Sequence, residues 1–434
     1  MDHNDRSITA LVMVAHSLVH TYEMTVPIFV ALWLSEFRVI DLGVATVPVT
    51  TASVGAVVTV GYALFGLGAL PGGVLVDRVG SRRLITACLL GMGASYLLLG
   101  LAPGMVVVAL ALALWGIAAS VYHPAGLALL SKGVRERGTG FAYHGIAGNL
   151  GIGLGPLVAA ILLLVVEWRT VALVLGVPAL FAAAYAAQAR FDETAAVDAA
   201  SADGGSKASS DVDSLAAFRT ETRRLFGGRF LLVFAIVVCS GLYYRGVLTF
   251  MPELLGRLPV FEPVPVGRFV PAPVRDALGV SAPGRTLNPG DYFYSGLLVV
   301  GVVGQYVGGK LTDRVRVEYG LAVAFGVLAV LAVLFVPVTS LGLGPLLALG
   351  AVLGVVLFLV QPMYQATVAE YTPAGTRGLS YGFTYLGVFG VGALGGGIAG
   401  TILAVATPTA LFGVLAGLAL VASLLGLALG RRPE

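Results

Sequence analysis

The segment AHSLVHTYE, Ala15 to Glu23, sets two histidines and a carboxylate between the apolar stretches ITALVMV and MTVPIFVALWL. At about 100° per residue, a helix brings His16, His20 and Glu23 within some 40° of one another, on a single face. Histidine titrates near neutral pH, so such a stripe can load and release a proton. Neutral imidazoles beside a carboxylate are equally a ligand set for zinc or another transition metal. His123 and His144 also lie in apolar runs, and of the five histidines only His3 does not. Arg245, in GLYYRGVLTFMPELL, is the one arginine or lysine in the interior of an apolar run, the others standing at run ends or between runs. Aligning Pro27 with Pro252 places Arg245 at the position of His20. Glu23 and Arg245 each lie about 22 Å along a helix from the start of their runs, which predicts that they meet.

The elements carrying these residues are set by composition. Of 434 residues, 58% are hydrophobic and 11% charged, with a mean hydropathy of +0.93; soluble domains have about a quarter charged. Twelve runs are long enough to cross a hydrocarbon core of about 30 Å as helices. They are 8–35, 50–73, 82–103, 105–130, 139–165, 170–189, 228–252, 291–311, 317–337, 343–369, 378–405 and 408–430. The first is too long for a cleavable signal and has no small-residue cleavage site after it, so it reads as a retained span. Cys88 and Cys239 lie far apart in apolar runs and suggest neither a disulfide nor a metal motif. With Met1 inside, 19 lysines and arginines fall on the cytoplasmic side and 6 outside, four of the latter in one long loop. This predicts a multi-pass protein of the plasma membrane with both termini cytoplasmic.

The chain reads as two six-helix bundles, 1–190 and 225–434, joined by a flexible cytoplasmic linker, 191–224, that is small, polar and acidic toward its start. The halves repeat. GGVLVDRV at Gly72–Val79 answers GGKLTDRV at Gly308–Val315, YHPAG at Tyr122–Gly126 answers VQPMY at Val360–Tyr364, and Arg137-Gly138 answers Arg377-Gly378. The offsets of 236, 238 and 240 residues hold the register through four helices. A duplicated six-helix unit is the architecture of a secondary transporter that rocks one half against the other around a central site. The outer segment 253–290, broken by seven prolines, is too polar to span and reads as a cap over the outer vestibule.

GGVLVDRVGSRRL, Gly72–Leu84, resembles the signature loop between spans two and three of the major facilitator superfamily. The resemblance implies an all-α fold of twelve transmembrane helices in two pseudo-symmetric halves. It also implies a cytoplasmic latch of Gly73, Asp77, Arg78, Gly80 and Arg82, mirrored by Gly309, Asp313 and Arg314. Glycine there would let helices meet closely, and the arginines would hold the loop at an anionic surface. GNLGIGLGPLVAA in span five is similar to the glycine-proline motif of exporters in this superfamily. Gly151, Gly155 and Pro156 are on the expected spacing, with Ala159-Ala160 in place of a final glycine pair. Span four lacks the arginine of drug exporters. Its YHPAG, with the histidines, glutamate and proline of span one and the glycine-rich span five, resembles instead the fosmidomycin-resistance branch of proton-linked exporters.

In this superfamily spans one, four, seven and ten line the cavity. On that resemblance Glu23 is the proton carrier, with His20 or His123 as relay and His16 beside them. Arg245, Tyr22, Tyr122, His144, Tyr244, Tyr364, Gln361 and Gln365 are the candidate substrate contacts, tyrosine suiting an amphiphile with a polar group. The expected function is a proton-coupled antiporter that exports small anionic or amphiphilic, antibiotic-like molecules by alternating access. Competing readings are a proton symporter of organic anions, a carrier of transition metals or other small solutes through the His/Glu cluster, and a non-transporting receptor on the same fold. No nucleophile elbow, phosphate-binding loop or zinc-hydrolase motif points to an enzyme. The expected partners are substrate, protons and the lipid bilayer, with no cofactor, no resident metal and no nucleic acid, and the chain is expected to be a monomer.

Overall fold

The computed structural model describes residues 1–197, 215–265, 286–372 and 377–431. The first half comprises α1 (His3–Glu36), α2 (Thr51–Leu67), α3 (Ala69–Val79), α4 (Ser81–Gly100), α5 (Met105–Ser120), α6 (Tyr122–Gly133), α7 (Arg137–Leu163) and α8 (Trp168–Gln188). A short hairpin of β1 (Val39–Asp41) and β2 (Thr46–Pro48) joins α1 to α2. After α9 (Leu215–Phe226), the second half holds α10 (Phe230–Leu248), α11 (Met251–Gly256), α12 (Pro289–Thr312), α13 (Val317–Thr339) and α14 (Leu343–Tyr371). It ends with α15 (Arg377–Tyr385), a π-helical segment (Leu386–Val391), α16 (Leu394–Val405) and α17 (Pro408–Gly430). Strands β3 (Val264–Pro265) and β4 (Thr286–Leu287) pair between α11 and α12.

Among the described residues, eleven helical stretches are long and apolar enough to cross a membrane. The eighth expected span corresponds to α12, whose 24 residues reach about 36 Å. It is more polar than the rest, with Asp291 at one end, Gln305 midway and Lys310 at the other. The outward faces are apolar: Phe181, Val323, Val330 and Leu420 are exposed, a surface that only hydrocarbon covers without penalty. Small residues occupy the inside instead. A Cβ on Gly151 of α7 would stand 2.1 Å from the Ser17 carbonyl of α1, and one on Gly304 of α12 1.9 Å from that of Val355 on α14. In lipid, where apolar side chains gain nothing by leaving hydrocarbon, this close approach supplies the packing.

Two seams join the halves. Span two meets span eleven through α2, the π segment and α16; span five meets span eight through α7 and α12. Moving each by six spans exchanges them, as the sequence repeat requires. At the end away from the termini the seams are tied by hydrogen bonds. In the first seam Thr51 Oγ1 donates to the Gly400 carbonyl (2.8 Å) and Thr59 Oγ1 to that of Ala393 (3.2 Å); beside the second, the Tyr294 hydroxyl of α12 donates to the Met24 carbonyl of α1 (3.1 Å).

Several details depart from the sequence reading. The signature segment is mostly helix: α3 continues to Val79, and the turn is Gly80 alone, at φ 89°, a left-handed conformation suited to glycine. The second copy likewise ends α12, with Asp313 as its C-cap. The close-packed glycines are Gly72, against Pro124, and Gly308, against the Leu359 carbonyl, while Gly73 and Gly309 face open space. The described ends of the expected linker, 191–197 and 215–224, are held by contacts. Asp192 N donates to Asn4 Oδ1 (2.8 Å), and Glu193 accepts from the N–H groups of Ser81 (2.8 Å) and Arg82 (3.3 Å), capping α4. Its far end is α9, whose Phe226 packs on Phe230, Phe234 and Phe383. Residues 198–214 of the linker and 266–285 of the outer loop lie outside the described residues.

Gly151→Ala should lower thermal stability in detergent by about 1–3 kcal/mol through overpacking. Gly73→Ala should be neutral or slightly stabilising, alanine being the better helix former. Equal melting of the two variants would refute the packing argument.

Candidate functional site

A cavity of about 380 Å³ lies between the halves. His16, His20 and Glu23 reach it from α1, His123 from α6 and His144 from α7. Opposite stand Tyr244 of α10, Gln305 of α12, Gln361, Tyr364 and Gln365 of α14, and Tyr385 with Phe389 around the π segment. Its lining continues to Phe141 in the first turns of α7 and Gln365 in the last turns of α14, toward the end that carries the chain termini. Spans five, eight and eleven therefore line it besides the expected one, four, seven and ten.

Helical spacing alone stacks the three groups of α1, and a second helix holds them. His20 Nδ1 lies 2.6 Å from Glu23 Oε2, and His20 Nε2 lies 3.0 Å from His16 Nε2. His16 Nδ1 donates to the His144 carbonyl (2.7 Å), and the two rings stack at 3.7 Å. Only glycine permits this, because a Cβ on Gly148 would stand 2.4 Å from the His16 ring. His123 packs edge-on to both rings, 5.4 Å from His16 and 5.6 Å from His20, and faces Tyr385 across the seam at 5.1 Å.

Glu23 Oε1 accepts from Arg245 Nη2, joining the halves by an ion pair with both side chains at most 2% exposed. The guanidinium lies over the Tyr62 ring, 3.7 Å from its centroid, and Tyr62 donates its hydroxyl to the Glu23 carbonyl (2.8 Å). Cation–π contact and ion pairing together compensate a charge that burial alone would make untenable. Arg245 Nε has no partner among the described residues.

The polarity of the chain follows from its acceptors. A carbonyl only accepts, so His16 carries its proton on Nδ1; an ionised Glu23 only accepts, so His20 Nδ1 is protonated too. The two Nε2 atoms then face each other at 3.0 Å, with two lone pairs unless one cation lies between them. A proton shared between the two nitrogens would satisfy that contact.

Other expected site residues stand elsewhere. Tyr22 does not reach the cavity: its hydroxyl donates to the Leu175 carbonyl (2.6 Å) and its ring packs on Tyr96. Tyr122 is wholly buried behind His16 and donates to the Val12 carbonyl (2.7 Å), so it buttresses the histidine rather than facing a ligand. Gly151 and Gly155 pack α7 onto Ser17 and Thr21 of α1, and the helix runs unbroken through Pro156. At the signature segment Arg78 is exposed and Arg82 Nη1 donates to the Ala189 carbonyl (2.6 Å) within the same half. Asp313 and Arg314 are exposed, and the Asp77 side chain lies outside the described residues. Gln305, whose amide donates to Gln361 Oε1 (2.6 Å), was not expected. A lone glutamine in an otherwise glycine- and valine-rich span was its signal in the sequence.

The model of the Major Facilitator Superfamily matches residues 9–384. The puromycin resistance protein pur8 of Streptomyces alboniger is 35% identical over 116 residues, a match spanning 26% of this chain and 23% of that protein. Among solved structures, a variant of the peptide transporter POT in complex with sulfate is similar at a TM-score of 0.68 and 15% identity, over 97% of this chain and 93% of that one. A bacterial homolog of the human lysosomal transporter Spinster, inward-facing and unoccupied, gives a TM-score of 0.67 at 14% identity over the whole of both chains. A variant of the nucleoside transporter NupG gives 0.65 at 13% identity, over 99% of this chain and 100% of that one.

Glu23→Gln strands the Arg245 charge, and a loss of about 3–5 kcal/mol in unfolding stability is expected. The double variant Glu23→Gln with Arg245→Gln should recover most of it. A double variant as unstable as the two single losses combined would show that the pair does not act as a unit.

Proposed function

From the premise that this chain belongs to the Major Facilitator Superfamily and is a transporter, not an enzyme, we propose that it exchanges protons for small organic anions or amphiphiles, exporting them. The observation that carries the reading is the buried Glu23–Arg245 pair, contributed by opposite halves at the head of the cavity. An arginine held there needs an anion, and an incoming carboxylate or phosphonate can replace Glu23 as that anion. Glu23, once released, is neutralised by a proton. For an anion this makes substrate and proton bind together, whereas an amphiphile whose donor group takes the ionised Glu23 as its partner competes with the proton for it, and that competition is what gives exchange. The relay of His20 and His16 supports this reading by placing protonatable nitrogens in line with Glu23, at the cavity wall.

The wall opposite is neutral and amphipathic, with Gln305, Gln361, Gln365, Tyr364 and Tyr244. Amides and phenols of this kind orient the polar edge of an organic molecule while tyrosine faces cover its apolar part. Export is favoured by the glycine-proline motif of span five, by the resemblance of the YHPAG and histidine motifs to the fosmidomycin-resistance branch, and by the name of the puromycin resistance relative. In this reading the protein lies in the plasma membrane with both termini cytoplasmic, so the cavity faces inward, ready to load an export substrate. The signature segments at Asp77 and Asp313 act as the cytoplasmic latch when that face closes.

The test uses purified protein and a panel of small organic anions and antibiotics, puromycin among them. A ligand at a hundred times its dissociation constant should add about 2.7 kcal/mol to stability. An anionic ligand should stabilise Glu23→Gln more than wild type, because Arg245 then has no competing carboxylate. In proteoliposomes the variant should still exchange substrate for substrate but no longer move protons, read by a lumenal pH dye. Proton movement by Glu23→Gln at the wild-type rate, or equal stabilisation of both proteins, would overturn the proposal.

A further inference from the structure

We infer that His16, His20 and His123 form a binding site for a divalent transition-metal cation of the zinc class, seated between their imidazole nitrogens. The inference is independent of which solute is carried. Each of the three offers a ring nitrogen, these atoms all lie within 4.8 Å of one another, and all three residues line the cavity. Zinc–nitrogen bonds of about 2.0–2.1 Å in a tetrahedral site place ligand nitrogens about 3.4 Å apart. The Nε2 atoms of His16 and His20 stand at 3.0 Å, within a few tenths of an ångström of that spacing. The His123 nitrogen lies within 4.8 Å of both, so an approach of at most about 1.4 Å, from 4.8 to about 3.4 Å, brings it to the ligand spacing, and it makes no hydrogen bond among the described residues that would resist this.

The outer partners are those of a metal site. Metal-binding histidines characteristically donate their second ring N–H to a carboxylate or a backbone carbonyl, which fixes the tautomer and aims the free nitrogen at the ion. His20 is tied to Glu23 through Nδ1, and His16 to the His144 carbonyl through Nδ1, so both Nε2 lone pairs converge on one point. That point requires a cation. A proton fits it, and so does a metal ion reached from the cavity. On the same wall His144 is 8% exposed and its Nε2 has no partner among the described residues, leaving a fourth nitrogen donor unassigned. Nitrogen ligands without thiolates favour zinc, cobalt, nickel or copper over magnesium or calcium.

The experiment takes the full chain, without a polyhistidine tag and freed of metal by EDTA, in detergent near neutral pH. Cobalt(II) is titrated by visible absorption, where four-coordinate nitrogen sites give intense bands and hydrated cobalt weak ones. Zinc(II) is then added in competition, and zinc binding is measured separately by calorimetry. One ion per chain is expected. Affinity should fall at least 10-fold in His123→Ala and in His16→Ala, and by about 10–100-fold in Glu23→Gln through loss of the outer partner. His3→Ala should leave it unchanged. His123→Ala is decisive where His16→Ala fails to fold, since no hydrogen bond of the relay passes through His123. Absence of stoichiometric binding to folded wild type, or binding that survives His123→Ala unweakened, overturns the site. Transport by metal-free proteoliposomes is a separate measurement, so failure of the exchange mechanism and failure of the metal site are told apart.

Discussion

A guanidinium at the depth of a bilayer core must have an anion, and in this protein the anion comes from the other half of the molecule. The contact between Arg245 and Glu23 therefore fixes how two otherwise separate bundles face each other at the cavity. Tyr62 covers the guanidinium and holds the Glu23 backbone, so α2 is committed to the same point as α1 and α10. From Glu23 the constraint passes to His20, then His16, then the α7 backbone at His144. Replacing this line by apolar residues of similar volume would cost little stability in principle. Its retention at such depth points to use rather than to support.

The remaining packing relies on close approach of backbones at glycine. Contacts within each half are made by glycine against backbone, as at Gly151 with Ser17 and Gly304 with Val355. Along the seam of spans two and eleven, a Cβ on Gly66 would stand 2.0 Å from Gly390, inside the π-helical segment. A π turn widens the helix and leaves its hydrogen bonding out of step, and Tyr385, Val388 and Phe389 project from it into the cavity. The part of the second half that meets the histidines is thus also its least regular helix.

Much of this was legible before any coordinates. Twelve apolar runs, their repeat offsets and the phase of His16, His20 and Glu23 follow from periodicity, and so does the depth match of Glu23 with Arg245. Helical rotation was not legible. Tyr22 and Tyr122 each directly precede a cavity residue in chain order, Glu23 and His123, yet both turn inward to backbone carbonyls at Leu175 and Val12. The spans that carry long tracts of glycine and valine show no apolar stripe, because lipid and packed interior are equally apolar. Gln305 was hidden for that reason, and so was the end of α3, where a helix runs into the charges of the signature segment. Nor does sequence tell which of two adjacent glycines a neighbour approaches, as the pairs at Gly72 and Gly308 illustrate.

The two halves share a fold but not a chemistry. All four cavity histidines and the carboxylate belong to the first half, whereas the facing wall of the second offers amides, phenols and a serine, with Arg245 withdrawn behind Glu23. At the cavity wall the first half presents ionisable groups and the second neutral ones. On the proposed function this separation bears on adaptability: substitutions among Gln305, Gln361, Gln365 and Tyr364, which line the facing wall, would retune what is recognised without touching the ionic groups across the cavity. A lineage facing a changing array of compounds would then, on the same proposal, explore new cargo in the second half while the half assigned to proton coupling stays still.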